Sequence, residues 1–357
     1  MGEPSSGECV NPTFPTGREE SYRFHSWKAP FEGKLALKGE ALSASDAFCL
    51  DSSSVLKAAA GFGPGKKFFQ NFTPDFFTNH AETQQAQSFS LVVKNGAAHH
   101  SICQARGESQ TFHQTVEVAE NVNGTYLQEM RGLEGARYLS ELTQIKVKKG
   151  AHLHWYYLQD LPSSCQAMVR HEVFLEEGAS FTLSVLSKGA GEAQIRQSIF
   201  LQKKSEFKYA GLSVAESTNC RDHWIEIFHE GGESKSDLHH TFILDGSSKG
   251  IFNSLVKIPP TSLLCEAHQK CKSLLLQKAT AHAIPRLIIQ TDQVKCSHGA
   301  SVTTVSPDQT FYMESRGLTH DQAKSMVIGG FMRPLVESAP VQSVKERLAH
   351  ELEVELE

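Results

Sequence analysis

The sequence predicts a mainly β protein: an N-terminal helical or irregular region over residues 1–85, a strand-rich core over 86–300 and a C-terminal helical segment over 301–357. Three observations carry this reading. Residues 86–300 run in short segments where apolar and polar side chains alternate, separated by Gly, Asn and charged pairs, which is a strand signal. A short motif recurs inside that zone. After residue 301 the apolar period changes from two to about 3.6.

The first 85 residues mix turn signals with short helical stretches, among them Gly61-Phe62-Gly63-Pro64-Gly65 and the aromatic run Phe68–Phe77. In the core, LVVKNGA (91–97), IKVKKGA (145–151), VFLEEGA (173–179) and VKCSHGA (294–300) each end in Gly-Ala. Five residues before the glycine stand Leu91, Ile145, Val173 and Val294, and three before it stand Val93, Val147, Leu175 and Cys296. Both positions fall on one side of a strand, which is expected to face the interior. The glycines are 54, 28 and 121 residues apart, roughly multiples of a repeat of about 25–30 residues. A strand-only solenoid of that period is a β-helix; an ordinary β-sandwich with similar strand ends is the alternative.

The helical segment has its own punctuation. Ser306-Pro307-Asp308-Gln309 offers an N-cap serine, a proline at the first helical position and a glutamine three residues after the cap. Gly317 is a natural stop, and Thr319 with Gln322 suggests a second capping box. Ala323, Met326, Val327, Phe331 and Leu335 follow at helical spacing. After Pro340, the stripe Val341, Val344, Leu348 and Leu352 marks a last amphipathic helix.

Composition narrows the function. The 357 residues are 39% hydrophobic and 21% charged, with a formal net charge of −5, so nothing directs the chain to nucleic acid. No apolar run reaches the 18 or so residues of a membrane span. The opening MGEPSSGECVNPTFPTG lacks a basic start and an apolar stretch, so the cytoplasm is the expected location. The eight cysteines form no CxxC pair and no zinc-finger spacing, and most are expected to be reduced and buried.

Several chemistries are absent. GPGKK (63–67) is not a phosphate loop: Ala60 stands where the first glycine is needed, and Lys67 where a Ser or Thr would hold Mg²⁺. There is no GxSxG elbow and no HExxH helix. His223–Glu230 carries two His and two Glu in an alternation that suggests a strand rather than a zinc helix. His239 and His240 are adjacent, so on a strand they face opposite ways. Cys296 and His298, two apart, would point the same way, and thiolate with imidazole suits iron and iron–sulfur species. The repeat puts Cys296 at an interior position, favouring a buried inert thiol. It aligns His298 with Asn95, Lys149 and Glu177, near a turn or rim. Two ligands do not complete a cluster site, so a metal site here would be shared with another chain.

Residues 250–337 resemble the SufB/SufD family. GIFNSLVKI (250–258) is similar to its G-x-F-x-G-x-V-x-V segment, with Ser254 in place of a glycine. LLLQ (274–277) and IPRLIIQTDQVKCSHGA (284–300) resemble its P-x-L-x-I-x-x-D-x-V-K-C-S-H-G-A run. FYMESRGLTHDQAKSMVIGGF (311–331) resembles its F-Y-L-x-S-R-G-I…A…M-I-x-x-F element. FPTGREESYRFHSW (14–27) is loosely similar to the entry segment, with Tyr22 where Trp is usual. The KCSHGA form is closer to SufD than to SufB.

The resemblance implies a right-handed parallel β-helix flanked by an N-terminal helical region and C-terminal helices. It implies a non-catalytic scaffold subunit of iron–sulfur cluster assembly that pairs with a SufB-like paralogue through the β-helices. The C-terminal helices would dock a SufC-like ABC ATPase, with Phe311, Tyr312, Arg316, Gly317, Met326 and Phe331 as docking candidates. His298 matches the family histidine proposed to act at the shared interface, and Cys296 its neighbour. A transient iron–sulfur cluster would be cargo there, with no cofactor held stably by this chain. A SufB-like chain would need a scaffold cysteine of its own, for which Cys220, Cys265 and Cys271 are available. A SufB-like role, a homodimeric scaffold and a β-helix polysaccharide-active enzyme are the alternatives; the last lacks an evident carboxylate or basic cleft.

Overall fold

In the computed structural model the described residues are 57–58, 87–93, 95–96, 98–105, 109–132, 135–339 and 342–352. Strand β1 (Lys57–Ala58) pairs antiparallel with β2 (Gln87–Val93). From β4 on, every strand pairs in parallel with the strand two before it. One sheet runs β1-β2-β4-β6-β8-β10-β12-β14-β16 and the other β17-β15-β13-β11-β9-β7-β5-β3. The chain therefore winds between two facing sheets, a parallel β-solenoid of about seven turns. The sequence expectations for the first 85 residues, including GPGKK, Phe68–Phe77 and residues 14–27, lie outside the described residues apart from β1.

The turn length shows in contacts between neighbouring rungs. Arg170 donates to Ser198, and Gln202 to Glu230, each partner 28 residues on. Leu91, Val116, Ile145, Val173, Ile199 and Ile227 stack in one inward column of the first sheet, all buried. The 54-residue interval from Gly96 to Gly150 is thus two turns, with Val116 on the rung between. Gly96, Gly150 and Gly178 close their rungs at φ of 70°, 65° and 68°, which only glycine adopts without strain.

VKCSHGA does not fit that series. Val294 and Cys296 belong to β17 (Val294–Thr304) in the opposite sheet, and Gly299 lies inside the strand rather than at a turn. The three-letter pattern marks two different backbone contexts.

Three helices follow: α1 (Pro307–Ser315), α2 (His320–Glu337) and α3 (Gln342–Leu352). Thr319 accepts from the Gln322 amide while the Gln322 side chain accepts from the Thr319 amide, the expected capping box. Ser306 has extended backbone at the start of α1, but its side chain makes no capping bond. Gly317 ends that helix at φ 97°.

The outward faces of β5 (Asn123–Gly132), β7 (His152–Leu161), β9 (Ser180–Gly189) and β11 (Glu206–Ala215) carry Leu127, Tyr156, Leu158, Leu186 and Leu212. Leu335 and Val336 of α2 and Val344, Leu348 and Leu352 of α3 bury them. Of the α2 stripe read from sequence, Phe331 and Leu335 pack on the solenoid's own flank while Met326 is exposed, whereas Val344, Leu348 and Leu352 of α3 all pack there.

A candidate functional site at the open end of the solenoid

The last rung is formed by β16 (Thr280–Ile289) and β17, each at the end of its sheet. No described strand pairs with the free side of either, so both present unmet backbone donors and acceptors. Their side chains, including inward ones, are half-buried or exposed because no rung follows.

Cys296 stacks in register on Ala267 and His298 on Gln269, both inward-facing in β15 (Cys265–Leu275). The two candidates therefore share one side of the strand, as their spacing predicts. His298 is exposed because it lies on the open lumen end. It is not the turn or rim residue that alignment with Asn95, Lys149 and Glu177 suggests. Its imidazole has no hydrogen-bond partner among the described residues. Cys296 is half-buried against the interior cluster, and that burial raises its thiol pKa, opposed by a backbone hydrogen bond at Ala267. At neutral pH it is a thiol; a metal would have to displace the proton. On the outward side of the same strand, Ser297 Oγ and His268 Nδ1 lie 2.7 Å apart.

The other cysteines are not brought to this point as a ligand set. Burial raises Cys220 and Cys271 to about 12, and Cys265 is buried under Ser262 and Leu263. Among the described residues no three His, Cys, Asp or Glu side chains converge to hold a metal. His223 is on β12 (Cys220–His229), a strand as its alternation suggests, and points inward. His240 is buried while neighbouring His239 is exposed.

The helix candidates form a separate surface. Phe311 and Met326 are 72% and 62% exposed, and Tyr312 is also open to solvent. Arg316 donates to the Tyr312 hydroxyl at 3.2 Å with its guanidinium 5.3 Å from the ring centroid. Phe331 turns toward the sheet and lines a groove of about 660 Å³ between α1–α2 and the strands carrying His239 and Lys270. Sequence reasoning missed two further sets. One is the charged network holding α3. The other is a line of polar side chains inside the solenoid, signalled only by polar residues at inward positions such as Gln114, Thr143, His171 and Gln197.

A parallel solenoid with helices on its flank defines the class of protein: a β-helix whose last rung is unpaired among the described residues. Residues 100–331 match the SufBD core domain of SUF system FeS cluster assembly, and the chain belongs to that family. It is similar to iron–sulfur cluster assembly protein SufD of Bacillus subtilis (strain 168), 35% identical over 141 residues, 39% of this chain and 32% of that one. It is similar to SufD of Escherichia coli (strain K12), 26% identical over 240 residues, 66% and 57% of the two chains. The chloroplastic protein ABCI7 of Arabidopsis thaliana is 27% identical over 220 residues, 60% and 46%. The matches thus span from about a third to somewhat over half of these relatives. Among the described residues no helix is long and apolar enough to cross a membrane.

Proposed function

We propose that this chain is a non-catalytic, SufD-like scaffold subunit of a SUF assembly complex. It pairs with a SufB-like paralogue at its open end and engages a SufC-like ABC ATPase through α1 and α2. The observation that carries this reading is the unpaired strand β17, which brings His298 and Cys296 to an exposed edge. A strand edge is completed by another strand, and two ligands need others from a second chain. The nascent iron–sulfur cluster is cargo at that junction. Its soft thiol and borderline imidazole donors suit iron once Cys296 loses its proton.

The exposed Phe311, Tyr312 and Met326, with Arg316 and the turn at Gly317, offer apolar anchors around a cation, a composition suited to a protein partner. Nucleotide-driven movement of the ATPase would shift α1 and α2 and, through the sheet they cover, the open end. Such coupling needs contacts that differ between two states, which a change of nucleotide supplies. The cytoplasm, or an organelle stroma as for the chloroplastic relative, suits such a complex.

The first test is the native mass of the chain co-expressed with SufB-like and SufC-like partners without oxygen. A complex containing all three is expected; a lone chain beside folded partners would end the scaffold reading, and a stable homodimer would redirect it to a self-paired scaffold. Within the complex, His298→Ala is expected to abolish cluster assembly and to change stability by less than about 0.5 kcal/mol, since the residue is exposed. Unimpaired assembly would remove His298 from the mechanism.

A further inference from the structure

The two broad faces of the solenoid are covered differently. The described helices α2 and α3 pack on the outward face of the second sheet. The outward face of the first sheet has no such helix, yet its centre is just as buried. Alternation identifies the side chains. On β6 (Tyr138–Val147), Leu139, Ile145 and Val147 join the interior cluster, so Leu142 faces out. By the same count Met168 on β8 (Gln166–Leu175), Arg196 on β10 (Glu192–Leu201), Trp224 on β12 and Ile251 on β14 (Lys249–Ile258) face out. Leu142 and Ile251 are 0% exposed, Met168 7% and Trp224 8%. None of these four belongs to the interior cluster or to the cluster under the helices. On an uncovered sheet face they would be open to solvent, as the outward Ile288 of β16 is at 46%.

The polar residues of this face are buried with them. Glu172, Gln194, Asp222 and Asn253 are all nearly inaccessible, and so are Arg170 and Arg196. Arg170 donates to Ser198 at 3.2 Å, Gln194 to Asp222 at 3.2 Å and Gln144 to Glu172 at 2.9 Å. Arg196 and Arg286 stand 5.6 and 5.0 Å from the ring centroid of Trp224. Charged groups leave water at a cost of several kcal/mol, so their burial on an outer face calls for a cover that meets them. The burial also has an edge. In the next row Lys146, Phe174, Phe200 and Phe228 are half-buried and Lys257 is exposed.

We infer that this face is the docking surface for the chain's own N-terminal part, residues 1–56 and 59–86, which lies across β6 to β14 and closes the first sheet as α2 and α3 close the second. The burial arises within a single chain, so no second copy is needed for it. Of the other stretches outside the described residues the longest is 353–357, and it follows α3 on the opposite flank. The N-terminal part starts from the right place: β1 and β2 are the first strands of this same sheet. From β2 to β14 are six strand spacings, about 29 Å, a distance that about nine extended residues cover. Its composition suits the face, since Phe68, Phe69, Phe72, Phe76 and Phe77 offer apolar surface for Leu142, Met168, Trp224 and Ile251. Both broad faces are then taken by the chain itself. Other chains are confined to the open end and to the exposed side of α1 and α2.

A photo-cross-linker in the intact chain tests this. Trp224→p-benzoylphenylalanine puts a reactive ketone at the centre of the face. On illumination the folded chain should cross-link to itself and keep the mass of one chain. Its digest should join position 224 to a peptide from residues 1–86. The cross-link should be lost in urea above the unfolding transition, where the face no longer exists. An adduct of doubled mass would overturn the inference, because the cover would then be a second copy. A folded chain whose label reaches no residue before 87 would overturn it as well. Phe228→p-benzoylphenylalanine, at the half-buried margin of the same face, gives the same readout should the first variant not fold.

Discussion

At the scale of single residues, glycine and histidine show how much a sequence motif can carry. The Gly-Ala strings at 96, 150 and 178 were legible because left-handed backbone at a rung's end favours glycine, and all three have positive φ; Asn121, Lys204 and Glu233 take the same conformation on other rungs, which is why the string does not recur on every turn. The string at 299 has the same letters but lies inside a strand of the opposite sheet, so the repeat equated His298 with turn residues while still placing Val294 and Cys296 on the interior side. The i, i+2 rule still placed Cys296 and His298 on a common side, because side-chain alternation holds in either sheet. Gly189 was not singled out, yet it is under a harder constraint than Gly96. Both have φ near 70°, but a Cβ at Gly189 would lie 1.9 Å from the Leu161 carbonyl oxygen, whereas one at Gly96 meets nothing within 4 Å. Gly96→Ala should therefore cost about 1 kcal/mol, for backbone strain alone. Gly189→Ala should cost at least about 3 kcal/mol, since backbone must move as well. Urea midpoints of the two variants check this, and equal losses would mean that the Leu161 contact carries no weight.

At the scale of elements, α3 was legible as an amphipathic stripe, and Val344, Leu348 and Leu352 are buried as that stripe requires. What fixes it laterally was not legible, because the partners are some 220 residues apart. Arg131 on β5 donates to Glu351 at 2.7 Å, to Glu129 at 2.8 Å and to Asp160 at 2.8 Å. Arg347 reaches Glu129 at 3.1 Å, and Lys188 on β9 reaches Glu351 at 2.7 Å. Burial alone would raise Glu129, but hydrogen bonds from His100 and Arg131 and the charges of Arg131 and Arg347 outweigh it and bring its pKa to about 2. Glu351 is likewise lowered to about 2, its burial outweighed by Arg131 and Lys188. Both folded values lie below the ordinary 4.5, so this contribution is full above about pH 4.5 and is lost as pH falls toward 2. Arg131→Ala removes the cation shared by two nearly buried carboxylates, which keep Arg347 and Lys188 as partners, and should cost about 2 kcal/mol at pH 7. The cost should shrink as pH falls below 4.5, where protonation removes the charge that Arg131 balances. A pH-independent difference between variant and parent in denaturant titrations would show that Arg131 acts through packing instead.

At the scale of the whole molecule, strand alternation and a period near 28 residues made the solenoid legible, since every rung repeats the same inward spacing. The open end was not legible from these patterns alone: nothing in a strand's own residues states that no further rung follows it. Nor was the mixed interior, where histidines stand at some inward positions among aliphatic and aromatic ones. His171, His223 and His240 are buried within it, and His229 takes an inward place two residues after Ile227, bonded to Ser234 and Ser236. Burial lowers all four: His171 and His223 to about 3, His229 to about 4 and His240 well below 6.5. In the unfolded chain each takes up a proton near pH 6.5, while the folded chain resists until pH 4 or lower. The stability they allow is therefore complete above about pH 6.5 and is lost as pH falls through that window. Each contributes roughly a tenfold loss in the folding equilibrium constant per pH unit. Glu141 works the other way, because burial raises its pKa against three hydrogen bonds, and a protonated Glu141 favours the fold as pH falls. One opposing group against four leaves a steep net loss. Urea unfolding at pH 7.5 and pH 5.0 should show a large drop in midpoint, well above the range where the α3 carboxylates titrate. His229→Asn, which keeps a polar group near Ser234 and Ser236 without titrating between pH 5 and 7, should flatten the dependence by about one group's share. A midpoint that does not move between these two pH values would mean that the interior histidines are protonated or hydrated in the fold much as they are in the unfolded chain.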